Sequence, residues 1–410
     1  MSIRWITSLL GTGPALEVSK EQGVNIIDVR DLVDKEGNSS DAILNKINAA
    51  CESIRAGKKT VVCCDYGISR SNAIAVGVLA IYESISFEAA VRRVLEAIGE
   101  KEIKVTPLQA VRQALGQSSK YQHAKPQVLV TGAAGFLGKE VVKKLSTEYI
   151  VSSPSRADLN LLQGSTKLDL MVGEDNIDCI VHLANPRIFT SNVALGDTLT
   201  MLRNVMDVCV VRNLKLVYLS GLEVYSGYSS SALIANEALP MNPRGPYGET
   251  KWLCELMIEH ARKTQGLRCA IIRSSTVYGP ESDKPKFIYN FIDKIKQSQR
   301  IVTHNYSNGS PKLDLLYIDD LVAVVSKVVG SEFDGSLNIG TSVLTSTKKI
   351  ADMLNDLLNG HSEVNTTQID SQTACIAMDS SKAKKLLDWR PKISLEEGLE
   401  IILSKINKEV

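Results

Sequence analysis

VLVTGAAGFLG, residues 128–138, is an apolar run that breaks directly into a glycine turn, and KEVVKKL, residues 139–145, follows it. Strand, turn and helix in that order open an α/β unit. Gly132, Gly135 and Gly138 recur at every third position of this turn. The first permits a tight bend, the second lets a pyrophosphate approach near the backbone, and the third packs helix against sheet. The anion then lies at the helix N-terminus. A glycine-bearing loop with no ligand reads the same way when it stands alone, so the rest of the chain has to decide.

Seven further stretches follow in order. DCIVHLANP (178–186) and KLVYLSGLEVYSG (215–227) are buried strands that end in loops. In RGPYGETKW (244–252), Tyr247 and Lys251 stand at i and i+4 and share one helical face. A lysine ammonium near a phenol stabilises the phenolate, so Tyr247 can exchange a proton near neutrality. By itself that pair also reads as two exposed helical residues. CAIIRSSTVYGP (269–280), LLYIDDLV (315–322), SLNIG (336–340) and KKLLDWRP (384–391) complete the train.

The train resembles the extended short-chain dehydrogenase/reductases, the NAD-dependent epimerase/dehydratases of sugar metabolism, over residues 127–408. The resemblance implies a Rossmann doubly wound parallel sheet with a smaller C-terminal substrate domain, mainly after residue 280. It implies a sugar substrate, nucleotide-linked, with hydride transfer to and from a nicotinamide. Tyr247 would be the acid/base, and Lys251 would hold the ribose and lower the phenol's pKa. Gly132, Gly135, Phe136, Leu137, Gly138, Leu183, Ala184 and Ser274 would line the cofactor, and a homodimer would form through a helix bundle. The acidic residue expected about 20 residues beyond the first glycine is missing. Ser155 and Arg156 occupy that region, and an arginine suits a 2′-phosphate, so NADP is favoured over NAD. SRADLNL (155–161) also resembles the corresponding run of GDP-fucose synthases, which use NADPH; Asp158 and Leu159 would then flank the adenine. Three positions depart from the family pattern. Gly221 replaces the catalytic Ser or Thr, leaving Ser220 or Glu223 to substitute; Thr276 replaces an Asn; Leu313, next to Lys312, replaces an Arg that grips the diphosphate.

Upstream, GQSSKYQHAKPQ (116–127) is polar, aperiodic and contains proline, as an interdomain linker does. The expected division is a domain over 1–115, a linker over 116–126 and the reductase-like domain over 127–410. In the first domain, NIIDVRD and KTVVCC read as buried strands, and residues 41–57 and 86–99 read as helices, the second capped by Ser86. The strand KTVVC delivers Cys64-Asp65-Tyr66-Gly67-Ile68-Ser69-Arg70-Ser71 to the start of another helix. Backbone N–H groups turned inward at such a helix N-terminus favour an anion and lower a thiol pKa. Cys64 is the candidate nucleophile, Arg70 the bidentate grip on the phosphoryl oxygens, and Ser71 the stabiliser of the leaving thiolate.

This segment resembles the protein tyrosine phosphatases, Cys-x5-Arg, and within them the dual-specificity branch, on Gly67-Ile68-Ser69-Arg70-Ser71. The resemblance implies a general acid about 30 residues upstream. Asp34 fits best and Asp31 is the alternate. Cys63 replaces the usual His before the nucleophile, and a Cys63–Cys64 redox pair suggests itself. A rhodanese-type loop would bring the arginine one residue closer and does not fit.

Composition bounds these readings. The chain has 410 residues, too many for one domain of roughly 100–200 residues. Forty-seven basic against 46 acidic side chains leave a charge of +1, which steers it to neither nucleic acid nor an acidic membrane. Residues 1–123 carry 15 basic and 14 acidic side chains, leaving 32 of each, so both halves are balanced. Eight Cys without a paired C-x-x-C argue for a reducing compartment and against zinc. His123, His182, His260, His304 and His361 have no metal spacing, so no metal is expected. MSIRWITSLLGTG lacks a cleavage pattern, and the longest apolar run, Asn72 to Tyr82, is too short to span a bilayer. The expectation is a cytoplasmic α/β protein in two parts. One would be a phosphatase-like domain acting on a phosphomonoester or phosphoprotein, the other an NADP- or NAD-dependent sugar reductase, epimerase or dehydratase. The rival reading, marked by Gly221, is a catalytically impaired NADP(H)-binding module that regulates the phosphatase domain.

Overall fold

Two strands with apolar centres, TVVCC and QVLVT, each lie within a sheet of parallel neighbours, because a strand buried on both faces carries no polar alternation. The computed structural model describes residues 3–117, 125–186, 191–280 and 286–407; His123 and most of the expected linker lie outside them. The chain divides into one unit of Met1–Ala124 with Leu159–Asn176 and another of Lys125–Asp158 with Ile177–Val410.

In the first unit, β1 (Arg4–Trp5) runs antiparallel to β2 (Leu10–Pro14), and β2 and β3 (Asn25–Asp28) both run parallel to β4 (Thr60–Cys64). The sheet order is β1-β2-β4-β3. A short α1 (Ala15–Val18) precedes α2 (Ser40–Arg55), α3 (Arg70–Tyr82), α4 (Phe87–Ile98) and α5 (Val105–Ala114). Ser39 caps α2 and Ser86 caps α4, each hydroxyl accepting an N–H of the first turn. The apolar run of α3 is buried almost throughout, packed with Ile43 and Ile47 of α2 and Phe87 and Val91 of α4.

The segment 159–176 belongs to this core as well. Leu170 joins it, Thr166 Oγ1 accepts from Ile103 N–H at 2.9 Å and donates to Ile103 C=O at 2.8 Å, and Ser165 N–H and Oγ donate to Glu102 at 3.1 and 2.9 Å. A single cut at 116–126 therefore does not describe the chain, which re-enters the first unit after Asp158. Local pattern hides this, because the helix Thr166–Glu174 has the ordinary amphipathy of a crossover helix; pairs 63 residues apart assign it.

In the second unit, six parallel strands, β5 (Gln127–Thr131), β6 (Ile150–Ser152), β7 (Cys179–His182), β8 (Lys215–Gly221), β10 (Arg268–Ser274) and β15 (Gly335–Ile339), lie in the order β15-β10-β8-β7-β5-β6. The order reverses between β5 and β7, and ligands of open α/β sheets bind beyond the strand ends at that point. Helix α6 (Phe136–Leu145) packs on α11 (Ile318–Val329), and α8 (Asn192–Arg212) on α9 (Gly245–Gln265). The region after residue 280 also draws on earlier residues: β9 (Leu233–Ala235) pairs with β18 (Ile376–Met378).

The distant motifs meet. Asp320 accepts the N–H groups of Lys392 and Ile393 at 2.9 and 3.0 Å, and its carbonyl accepts Trp389 Nε1 at 3.0 Å, which ties LLYIDDLV to KKLLDWRP. Arg273 and Glu255 form a buried pair at 2.6 Å, and Arg273 Nη1 also donates to Tyr225 at 2.7 Å. The C-terminal helix buries Leu399, Ile402 and Leu403, so core packing accounts for its apolar face. Among the described residues no helix is long and apolar enough to cross a membrane.

Candidate functional site

The glycine turn between β5 and α6 is built by exclusion. Gly132 has φ +74°, and a Cβ there would sit 2.6 Å from Ala184 N and 2.8 Å from Leu183 C, so only glycine lets the turn lie against the loop after β7. Gly138 would run into Gly132 O and the Ala133 backbone. Gly135 is the N-cap of α6 and offers no side-chain cap, which leaves the N–H groups that begin at Phe136 and Leu137 for an anion. Thr131 Oγ1 accepts Ala184 N–H at 3.3 Å and pairs with His182 Nδ1 at 2.8 Å. His182 is buried, and burial first, then the Lys251 charge, pushes it down to about 3; it is a neutral core residue.

Beyond β6 the chain makes a tight turn. Asp158 Oδ2 accepts from Ser155 N–H and Oγ at 3.1 and 2.7 Å, which commits that carboxylate locally, while Arg156 is exposed at the tip. Leu159 is buried and falls in the first unit, apart from the other cofactor candidates.

At the end of β8 the structure brings Ser220, Gly221, Glu223, Tyr247 and Lys251 together. Lys251 Nζ donates to Leu219 C=O at 2.8 Å and lies 5.8 Å from the centre of the Tyr247 ring. Burial pushes Lys251 below its ordinary value. Tyr247 is half-buried, and desolvation with the Glu223 charge pushes its phenol up, not down. The expected lowering by Lys251 is absent because its ammonium is turned to a carbonyl and over the Tyr218 ring, 5.0 Å away.

Gly221 explains itself. A Cβ there would run into Glu223 Oε2, so the carboxyl fills the space of the missing side chain. Glu223 is half-buried, and desolvation raises its carboxyl above the ordinary range against the opposing pull of its own backbone N–H and Lys251. The buried hydroxyls of Ser220 and Ser275 have no hydrogen-bond partner among the described residues, and Ser274 ends β10 beside them in sequence. Ser275 carries no signal in the sequence, where it is one more small polar residue in RSSTVY. Thr276 lies on β11 (Thr276–Tyr278) and Leu313 on a two-residue strand, both half-buried.

The thiol loop lies between β4 and α3. Cys64 Sγ is 3.3 Å from Ser71 Oγ, and although burial opposes it, the Ser71 hydroxyl and the N–H groups of Ser71, Gly67 and Ile68 lower the thiol pKa. Cys63 points to the other face, into a cluster with Val18 and Val61 while Cys64 packs in the main core, and burial pushes it up to about 11. That placement argues against a Cys63–Cys64 redox pair. Arg70 Nε lies 3.6 Å from Asp34 Oδ1, and Nη1 donates to the carbonyls of Arg30 and Leu32 at 3.2 and 2.8 Å. Nη2 donates to Asp65, a partner visible in the sequence only as the residue after the nucleophile. Asp31 pairs instead with Lys46 at 2.9 Å, which leaves Asp34 as the carboxylate at the loop.

Residues 128–340 match the family model of the NAD dependent epimerase/dehydratase family. The chain is 27% identical over 303 residues to a putative UDP-glucose 4-epimerase of Methanocaldococcus jannaschii, a match covering 68% of this chain and 97% of the relative. It is 26% identical over 318 residues to UDP-glucuronic acid decarboxylase 6 of Arabidopsis thaliana, covering 70% and 90%. Among solved structures it is similar to the UDP-N-acetylglucosamine 4-epimerase of Bacillus cereus, with TM-score 0.57 and 25% identity over 68% of this chain and 96% of the other. The fold also matches RMD from Pseudomonas aeruginosa complexed with NADPH, with TM-score 0.61 and 20% identity over 70% of this chain and all of the other. With the glycine turn, the strand order and the Tyr247–Lys251 pair in place, the chain belongs to the NAD dependent epimerase/dehydratase family.

Proposed function

We propose that the second unit is an NAD(P)-dependent enzyme acting on a nucleotide-linked sugar, of the epimerase, dehydratase or reductase type. The carrying observation is a helix N-terminus with no side-chain cap at the strand-order reversal, together with a Tyr247–Lys251–Glu223 cluster at the end of β8 in the same sheet. The cradle suits a dinucleotide: Gly135 leaves room that Gly132 and Gly138 deny to side chains, and no side chain caps α6. Bound there, a nicotinamide supplies hydride exchange with a sugar carbon. Lys251 would hold the ribose, and its charge, once turned to the phenol, would favour the Tyr247 phenolate that takes the proton of the sugar hydroxyl. Glu223, whose carboxyl is held above the ordinary range, would hydrogen-bond the same sugar hydroxyl in place of the side chain that Gly221 lacks. The relatives' substrates make UDP-glucose, UDP-glucuronic acid and dTDP-glucose the first to test. With the reactive sugar found by mass spectrometry, Tyr247→Phe is expected to lose about 10²–10⁴-fold in turnover while retaining NADPH binding. A chain that converts none of them, with Tyr247→Phe unchanged in every measurement while NADPH alters the first unit's activity, would support the regulatory-module reading.

We further propose that the first unit is a cysteine-dependent phosphomonoesterase. What supports it is the short Cys64–Ser71 contact with three backbone N–H groups converging on the thiol. Hydrolysis of 4-nitrophenyl phosphate by the wild type and its loss in Cys64→Ser is the test.

A further inference from the structure

The donors of Arg70 bear on how the thiol loop takes its substrate, provided that the first unit is the phosphomonoesterase proposed for it. A guanidinium has five N–H donors, and its Nε–Nη edge is one of the forks that grip two oxygens of a single phosphoryl group. Nη1 is committed to the carbonyls of Arg30 and Leu32. The other edge, Nε with Nη2, faces carboxylates at both corners: Asp34 Oδ1 is 3.6 Å from Nε, and Asp65 accepts from Nη2. The Nε contact is too long for a hydrogen bond, and both Arg70 Nε and Asp34 Oδ1 are buried without such a partner among the described residues. Asp34 has a second cation, Lys104 Nζ, 3.5 Å from Oδ2. In the same loop Ser69 is only 7% exposed, and its hydroxyl likewise has no partner among the described residues.

We propose that Asp65 and Asp34 occupy the phosphoryl seat of Arg70 in the resting chain, and that an incoming phosphomonoester exchanges with them there and so releases Asp34 to serve as general acid. The loop is thus complete only with substrate in it. After the exchange, Cys64 Sγ attacks phosphorus, and the bond from phosphorus to the ester oxygen breaks with its electron pair on that oxygen. The ester enters as its monoanion and leaves its proton on the freed Asp34, which gives it to that oxygen. Water then attacks the thiophosphoryl phosphorus and its proton passes to Asp34, while the phosphorus–sulfur bond breaks and returns its pair to Cys64. Lys104 keeps Asp34 at the loop after Arg70 has changed partners.

The test uses the full chain and inorganic phosphate as the probe, with affinity measured by calorimetry and by competition against 4-nitrophenyl phosphate hydrolysis. Asp65→Asn removes one occupant of the fork while preserving its shape, and phosphate should bind about two- to fivefold tighter, the range for a half-exposed ion pair. Asp65→Ser should do the same, which guards against a variant that misfolds. Asp34→Asn should bind phosphate at least as tightly as the wild type. It should also lose far more activity on phenyl phosphate than on 4-nitrophenyl phosphate, because only the poorer leaving group needs the proton. If the wild type hydrolyses these esters but neither Asp65→Asn nor Asp65→Ser binds phosphate tighter, or Asp34→Asn binds it more weakly, the exchange is wrong. If the wild type hydrolyses neither ester faster than Cys64→Ser, the phosphatase reading itself fails.

Discussion

The two strand–loop–helix turns, Cys64 to Ser71 and Thr131 to Gly138, solve the same backbone problem. Each holds a glycine at positive φ, Gly67 at +67° and Gly132 at +74°, pressed against a neighbouring backbone: Gly13 and Pro14 in one case, Leu183 and Ala184 in the other. Each presents a helix N-terminus that no side chain caps. They differ in what the side chains add. The first loop carries Cys64, Ser69, Arg70 and Ser71, whereas the second carries Ala133, Ala134, Phe136 and Leu137. A helix N-terminus alone can hold an anion; a nucleophile and a cation beside it can also break a bond to phosphorus. In the reading proposed above, the second loop lends its anion to chemistry done elsewhere, at Tyr247.

The sharpest way to break this comparison is to remove the nucleophile that the first loop carries and the second lacks. Cys64→Ser should lower phosphomonoester hydrolysis by at least about 10⁴-fold, as loss of a nucleophile does elsewhere. NADPH affinity, followed by nicotinamide fluorescence, should not change. A residual rate near wild type would mean that the first loop only holds anions, like the second. The backbone half of the comparison is tested by Gly138→Ala. Its methyl group would meet Gly132 O and Ala133, and overpacking of this kind costs about 1–3 kcal/mol. Thermal unfolding with and without NADPH should show a less stable second unit and weaker cofactor binding, with the first unit's activity intact.

How much of this could be read from sequence depends on the range of the interaction. The glycine turn, the thiol loop and the Ser86 cap are legible because the residues that make them are contiguous. Tyr247 and Lys251 share a helix, so spacing finds them; the direction of the Lys251 ammonium depends on Leu219 C=O, 32 residues away, and spacing cannot give it. The return of 159–176 to the first core depends on pairs such as Ile103–Thr166. Gly221 looks like a lost catalytic hydroxyl in sequence, and only the placement of Glu223 Oε2 shows that the space is filled.

A third test uses the thiols themselves. The fold lowers the Cys64 pKa, so its thiolate persists below the ordinary range near pH 8.5, while Cys63 is pushed up to about 11. The rate of alkylation by iodoacetamide should inflect below the free-thiol range, and peptide mapping should find the label on Cys64 and not Cys63. The linked stability has a definite sign. A depressed folded value stabilises the chain fully above the ordinary thiol range, and the contribution disappears as pH falls through the lowered value. Denaturant midpoints should therefore separate wild type from Cys64→Ser more at pH 9 than at pH 6.

The smallest expected effect concerns the loop beyond β6, which on the proposed reading meets the cofactor with a charge where the glycine turn uses backbone alone. Asp158 is committed to Ser155, so it is poorly placed to select a ribose 2′-hydroxyl, and Arg156 stands exposed at the same turn. An exposed guanidinium gripping a 2′-phosphate should favour NADPH over NADH by a few-fold to about tenfold, and salt should weaken that preference. Arg156→Ala should bring the two affinities together by weakening NADPH alone. If NADH weakens equally, Arg156 supports the turn and does not read the phosphate. If neither changes, the selection rests on the backbone of the loop, and the second turn would resemble the first even less than its side chains suggest.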